Sequence, residues 1–253
     1  MTAAETASTV LAYFGAVFWS IQLLPQIYLN YSRHHTIGLH QAMMLLWAFA
    51  GLPLALHNIL SHQPIALQVQ AEILTALSLI TWAQVRYYSH GWTVKRCLGC
   101  LLGLTFAFAA VQLIVILGFR KGAPSGEAPE AFIKAMAVLS AVSLSAGVLR
   151  HYWDIWTEDT VRGISWGFVF LDAMGDLTSL LSIVLLSSPL DIYATAIYGS
   201  ELFLWTLMTI IGVVYTVRDR NKVPHATNGF YKCSTLERAN GERLLQGHPS
   251  LRA

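Results

Sequence analysis

Residues 36–51 read TIGLHQAMMLLWAFAG, and residues 161–176 read VRGISWGFVFLDAMGD. Setting Gly38 against Gly163 aligns the two stretches at one constant offset. Each has a short polar loop, a glycine, an apolar residue, a His or Ser, and then an apolar helix. The glycine marks where the loop needs a backbone conformation costly for other residues. Two copies of one unit in one chain point to a duplicated architecture.

Composition says what is duplicated. The chain is 55% hydrophobic and 12% charged over 253 residues, with a mean hydropathy of +0.52. Soluble domains carry about 25% charged residues, and no soluble core explains this balance. A helix needs about 20 apolar residues to span a ~30 Å hydrocarbon layer. Seven such stretches lie at 8–29, 40–60, 65–88, 97–119, 131–153, 164–187 and 192–217. The runs are long and unalternating, and lipid offers backbone groups no partners, which favours helices over barrel strands. The predicted fold is an all-α integral membrane bundle of seven transmembrane helices. The repeat gives it a 3+1+3 plan: residues 8–88 form one three-helix unit, 97–119 a linker helix, and 131–217 the second unit. Three crossings plus the linker separate the two starts, so both units enter from the same side as parallel repeats.

Lys and Arg set the orientation, because basic residues near helix ends stay cytosolic. With the first seven residues lumenal or extracellular, thirteen of the 16 Lys and Arg residues fall in cytosolic segments, leaving Arg120, Lys121 and Lys134 on the other side. The first apolar run has only Glu5 before it and no basic leader, so it is expected to be a retained helix and not a signal peptide. Residues 218–253, polar and containing RDRNK, are expected to form a disordered cytosolic tail where a cytosolic protein could dock. A net charge of +2 is too small to suggest nucleic acid. Asn30, in an Asn-Tyr-Ser sequon, falls on the cytosolic side and is expected to be unmodified. Cys97, Cys100 and Cys233 fall at or beyond cytosolic helix ends, where thiols stay reduced. The lone C-x-x-C lacks the second pair or histidines of a zinc site, so no metal or cofactor is expected.

Within LLPQIYLNYSRHHTIGLH, residues 23–40, Pro25 interrupts an otherwise helical run. Proline lacks an amide hydrogen and crowds the carbonyl four residues back, so the helix bends. Gln26 is placed to satisfy groups that the proline frees, which makes a pivot; a static kink is the alternative. Pro53, in GLPLALHN, predicts a second bend.

This motif, with GISWGFVFLDAMGDLTSLLSI, resembles the PQ-loop family, which includes cystinosin and the lysosomal and vacuolar cationic amino-acid exporters and shares its fold with the SWEET sugar carriers. The resemblance covers residues 8–217. It implies an alternating-access carrier in a vacuolar or lysosomal membrane, with Pro25 and Gln26 as a hinge pair and Asp172 as the acid that takes up a coupled proton. The chain departs from the pattern twice. Arg150 and His151 stand where a second proline-glutamine pair would, and Asp176 stands where a second glycine would follow Gly175.

The embedded polar residues are the remaining candidates. Asp172 and Asp176, four apart, share one helix face. A charge at mid-bilayer costs roughly 2.5–3.5 kcal/mol on insertion scales, so that face must line a cavity or meet a partner. Acids so placed can alternate between charged and neutral forms, as proton coupling requires; a structural pairing, Asp176 with Arg150, is the competing account. Glu72 and Glu201 occupy comparable places in the third and seventh helices. With Gln22, Gln68 and Tyr198 they are candidates to line a solute cavity, or to serve as ordinary interhelical hydrogen bonds. Glu201 could instead bond Tyr198 or Trp205. His57 could titrate in an acidic compartment or simply pack.

Three function classes follow. The first is a secondary carrier bringing a small polar solute, a cationic or zwitterionic amino acid, from an acidic organelle to the cytosol with protons. The second is a seven-helix receptor or nutrient sensor, opposed by the repeat and by the absence of Asn-Pro-x-x-Tyr in the last helix. A sugar uniporter is the third. An enzyme is not expected: neither His-Glu-x-x-His nor Gly-x-Ser-x-Gly occurs.

Overall fold

A computed structural model describes residues 2–63, 65–122, 127–159, 161, 164–186, 190 and 192–218. Gly163, Cys233 and the tail beyond Arg218 lie outside the described residues. The elements are helices throughout: α1 (Ala3–Ile21), α2 (Leu24–Arg33), α3 (Gln41–Leu60), α4 (Ile65–His90), α5 (Val94–Gly122), α6 (Glu130–Glu158) and α7 (Trp166–Leu186), then α8 (Ile192–Arg218). Among the described residues seven stretches are long and apolar enough to cross a membrane, with α1 and α2 together making the first.

Helix α1 starts earlier than the apolar run suggests. Thr2 accepts from the Glu5 amide at 3.2 Å while the Glu5 carboxylate accepts from the Thr2 amide at 2.9 Å, a reciprocal cap that satisfies two orphan donors. Most of the expected amino-terminal segment 1–7 is therefore helical.

The helix is interrupted just before Pro25, at Gln22 and Leu23. Helix α1 stops at Ile21, whose carbonyl is the one four residues behind the proline ring, and α2 restarts at Leu24. Pro25 thus sits in the first turn of α2, where its missing N–H costs nothing. Gly38 has φ +84°, the left-handed conformation that glycine adopts freely. The imidazole of His40 then caps α3, its Nδ1 accepting from the Ala42 amide at 3.0 Å. Helix α3 runs uninterrupted through Pro53, and α6 runs uninterrupted through Arg150 and His151.

Among α1 to α7 the most extensive packing is of α1 on α7 and of α3 on α4 and α6. Two tryptophans set the first and last of these spacings. The indole of Trp19 on α1 lies where a Cβ on Gly175 would come within 2.2 Å, and the indole of Trp47 on α3 lies within 2.5 Å of a Cβ placed on Gly147 of α6. Small residues let membrane helices approach closely enough for such rings to fill the gap. Helix α5 contributes no buried residue across its most apolar window, so it faces outward. The chain divides into two compact units, Met1–Thr209 and Ile210–Ala253. The described part of the second is the end of α8, where Thr216 Oγ1 donates to the Gly212 carbonyl at 2.7 Å and the Arg218 guanidinium lies 4.2 Å from the Tyr215 ring centre.

Candidate functional site

Three acids are sequestered inside the bundle. Asp172 and Asp176 on α7 and Glu201 on α8 are each at most 1% exposed. Asp176 accepts from the Trp19 indole N–H at 3.1 Å, and Glu201 Oε1 accepts from Ser145 Oγ on α6 at 3.1 Å. Both oxygens of Asp172 are buried without a hydrogen-bond partner. No described Lys, Arg or His side chain acts on any of the three, and they act on one another. Trp47, Phe168 and Trp205 pack edge to face, with ring centres 5.0 to 5.9 Å apart, Phe168 one turn from Asp172 and Trp205 one turn from Glu201. The acids are thus buried among aromatic side chains, where an isolated carboxylate is costly.

A cavity of about 250 Å³ opens near the ends of the helices on the side where the chain begins. Its polar lining comes from Ser8 and Thr9 of α1, His57 and Asn58 of α3, Gln63, Ser182 of α7 and the tyrosines Tyr13 and Tyr198. Ser8 and Ser182 exchange hydroxyl-to-carbonyl hydrogen bonds at 2.9 and 2.8 Å, and Asn58 donates to the Leu67 carbonyl at 2.9 Å. His57 is bonded through Nδ1 to the Ile133 carbonyl at 3.1 Å. Tyr198 links the cavity to the acids: its ring stands edge-on to Trp19 at 5.4 Å, and Trp19 holds Asp176.

The opposite side is tied by amides. Gln26 accepts the Ser165 backbone N–H at 2.7 Å and donates to Asn30 at 2.9 Å. Asn30 donates to Gln84 at 3.0 Å, and Gln84 donates to the Ile27 carbonyl at 3.1 Å. Thr36 and Ser89 share a hydroxyl bond at 2.6 Å, and Arg86 donates to Gln41 at 2.5 Å. This network joins α2 to α4 and to the start of α7. Of these two Gln26 bonds, the one to Ser165 reaches the start of α7 and the one to Asn30 stays within α2.

Several sequence expectations need correction. Glu72 is exposed, accepts from Gln112 of α5 at 2.6 Å, and is absent from the cavity lining, so it does not share the buried setting of Glu201. The two glutamates sit on helix faces of opposite character. Glu201 itself bonds Ser145 and not a neighbour on its own helix. Gln22 is buried at the α1–α2 break with Oε1 unpartnered, and Gln68 donates to the Gln63 carbonyl at 2.7 Å; neither lines the cavity, which keeps only Tyr198 from the expected set. Arg150 pairs with Asp154 one turn away at 2.7 Å, not with Asp176. His151 is 2% exposed, with both ring nitrogens unpartnered. Trp19, Ser145 and the Ser8–Ser182 pair escaped the sequence reading, since nothing in a lone Trp or Ser marks which helix it will face. Cys97 and Cys100 are free thiols, and among the described residues no group of three or more His, Cys, Asp or Glu side chains is arranged to hold a metal ion.

The fold and this buried acid cluster define a multi-pass membrane protein with a polar interior. A model described as PQ loop repeat matches residues 7–67. An uncharacterised protein of Schizosaccharomyces pombe is 33% identical over 218 residues, covering 86% of this chain and 75% of the relative. An uncharacterised membrane protein of Saccharomyces cerevisiae is 28% identical over 197 residues, covering 77% of this chain and 62% of that protein. The chain belongs to the PQ-loop repeat family of membrane proteins.

Proposed function

We propose that this PQ-loop protein is a secondary transporter that moves a small polar solute by alternating access, coupled to protons that bind Asp172 and Asp176. The observation that carries the reading is the buried group of acids, with Asp172 unpartnered and Asp176 joined through side-chain contacts of Trp19 and Tyr198 to the lining of an open cavity. Buried acids without counter-cations are expensive, and membrane proteins keep them where protons or substrates pass. An opening on one side and an amide network on the other fit one of the two end states of such a cycle. Pro25, Gln26 and Pro53 supply the hinges, with Gln26 also serving as the far-side latch. Residues 8–88 and 131–217 act as two parallel three-helix units around the linker 97–119, in accord with the packing of α1 on α7 and α3 on α6.

The solute is a zwitterionic or cationic amino acid, carried from an acidic organelle, the vacuole or lysosome, to the cytosol, with the amino terminus lumenal and the tail cytosolic. The cavity lining of hydroxyl, amide and imidazole groups also favours a second reading, a sugar uniporter, because no carboxylate or described Lys or Arg lines it. Reconstituted uptake of amino acids and of sugars, with and without a proton gradient, separates the two. Proton-driven amino-acid flux in the native protein that is lost in Asp172→Asn, with solute exchange retained, supports the carrier; gradient dependence unchanged in that variant refutes Asp172 as the proton acceptor.

A further inference from the structure

The carrier reading places proton uptake on α7, yet the buried acids come from two helices. Glu201 belongs to α8, is 1% exposed and does not line the cavity. Its Oε1 is held by Ser145 of α6, and its Oε2 has no hydrogen-bond partner. Trp205, one turn further along α8, is fully buried; its indole N–H approaches Asp172 without closing a normal hydrogen bond. The ionisable groups that act on Glu201 and Asp172 are each other, Asp176 of α7 and, from α6, the hydroxyl of Tyr152, which donates to the Leu204 carbonyl.

Three carboxylates cannot be charged together here. One buried carboxylate without a cation already costs several kcal/mol, and a like charge beside it adds to that. Protons must therefore reside in the cluster. Phe168, one turn before Asp172 on α7, meets Trp205, one turn after Glu201 on α8, with ring centres 5.0 Å apart, and open oxygens of both acids and the open N–H of Trp205 are buried on these neighbouring helices.

We propose that Glu201 is a second proton-carrying group that works as a pair with Asp172, and that Ser145 is the positioning residue that fixes its carboxyl. The inference rests on the carrier reading for its role in transport. In the exchange, the O–H bond of one carboxylic acid breaks as an O–H bond forms on the other carboxylate, and the pair keeps a single negative charge until a proton enters or leaves. With both groups ionised, α7 and α8 repel; with one proton between them, they are tied. Proton binding thus sets the spacing of two neighbouring helices, which a lone aspartate would not do.

Two measurements on the full chain test this. Infrared difference spectroscopy of the detergent-solubilised protein follows the protonated-carboxyl band that Asp172→Asn removes. Glu201→Gln is expected to displace the titration of that band by about one pH unit or more, and Ser145→Ala to displace it in part, with Ser145→Thr restoring it. An Asp172 titration unchanged in Glu201→Gln overturns the pair. In proteoliposomes supplied with an equimolar mixture of the standard amino acids, Glu201→Gln is expected to lose proton-driven uptake about tenfold, while Glu201→Asp retains part of it. Native vesicles without proton-driven uptake but with a displaced infrared titration sink the carrier reading and leave the pair intact; native uptake with an undisplaced titration does the reverse.

Discussion

The indole N–H of Trp19 donates to Oδ1 of Asp176 at 3.1 Å, joining α1 to α7 between two residues that are 157 positions apart. The bond depends on Gly175, because a side chain there would occupy the space of the indole. Trp19 therefore fills the α1–α7 gap and also satisfies one oxygen of a buried acid.

Replacing Trp19 with Phe keeps most of the ring and removes the donor. The expected loss is about 1–3 kcal/mol of stability, the cost of leaving a buried acceptor unsatisfied. Thermal unfolding of the detergent-solubilised protein measures it. Combining Trp19→Phe with Asp176→Leu should recover part of the loss; strictly additive effects would show that the two side chains do not interact in solution.

Gly175→Ala places a methyl group 2.2 Å from Trp19 Cδ1. Overpacking of this kind costs about 1–3 kcal/mol. The same substitution at Gly103 of α5, where a Cβ meets nothing within 4 Å, should be close to neutral. A thermal shift assay on both variants distinguishes close packing from a general intolerance of alanine.

Gln26→Ala removes the acceptor of the Ser165 amide and the partner of Asn30. The far side should open more often. With native cysteines replaced by serine, a cysteine at Ile164, 6% exposed in the native fold, should react with a water-soluble maleimide about tenfold faster in the Gln26→Ala background. An unchanged rate would mean that the amide network does not hold that side closed.

His40 gives a pH dependence outside the membrane-spanning segments. Burial, and next the nearby Arg150 guanidinium, hold its imidazole below the usual range, with His90 acting in the same direction and Asp154 and Glu158 opposing. The neutral ring is the form that caps α3. Its contribution to stability is therefore fully present above the ordinary histidine value of about 6.5 and is lost as the pH falls through the lower folded-state value. His40→Asn keeps a capping side chain that does not titrate. The variant should lose less stability than the native protein between about pH 6.5 and 5, as read from melting temperatures across that range.

The membrane spans were legible because length and hydropathy alone decide them. Pro25 and Gly38 were legible because their backbone chemistry leaves few alternatives. Asp172 and Asp176 could be assigned to the interior from cost, since lipid rejects a charged pair on one face. The facing of other residues was not legible. In a bilayer both the lipid side and the packed side of a helix are apolar, so the pattern that orients a soluble helix is weak. Glu72 and Glu201 show the consequence: similar sequence surroundings, yet one meets Gln112 at an exposed position and the other is sealed beside Ser145. The pairing of Arg150 with Asp154 was missed for a simpler reason, namely that a partner one turn away on the same helix is the nearest available.

Helix α6 is unbroken past Arg150 and His151, whereas the first apolar span is split at Gln22 and Leu23. On the carrier reading proposed above, a gate with a joint on one leaf only would swing about that joint, and the other leaf would serve as the doorpost. Stiffening residues 22–25 would then arrest both openings at once, while an equivalent change around residue 150 would leave the motion intact.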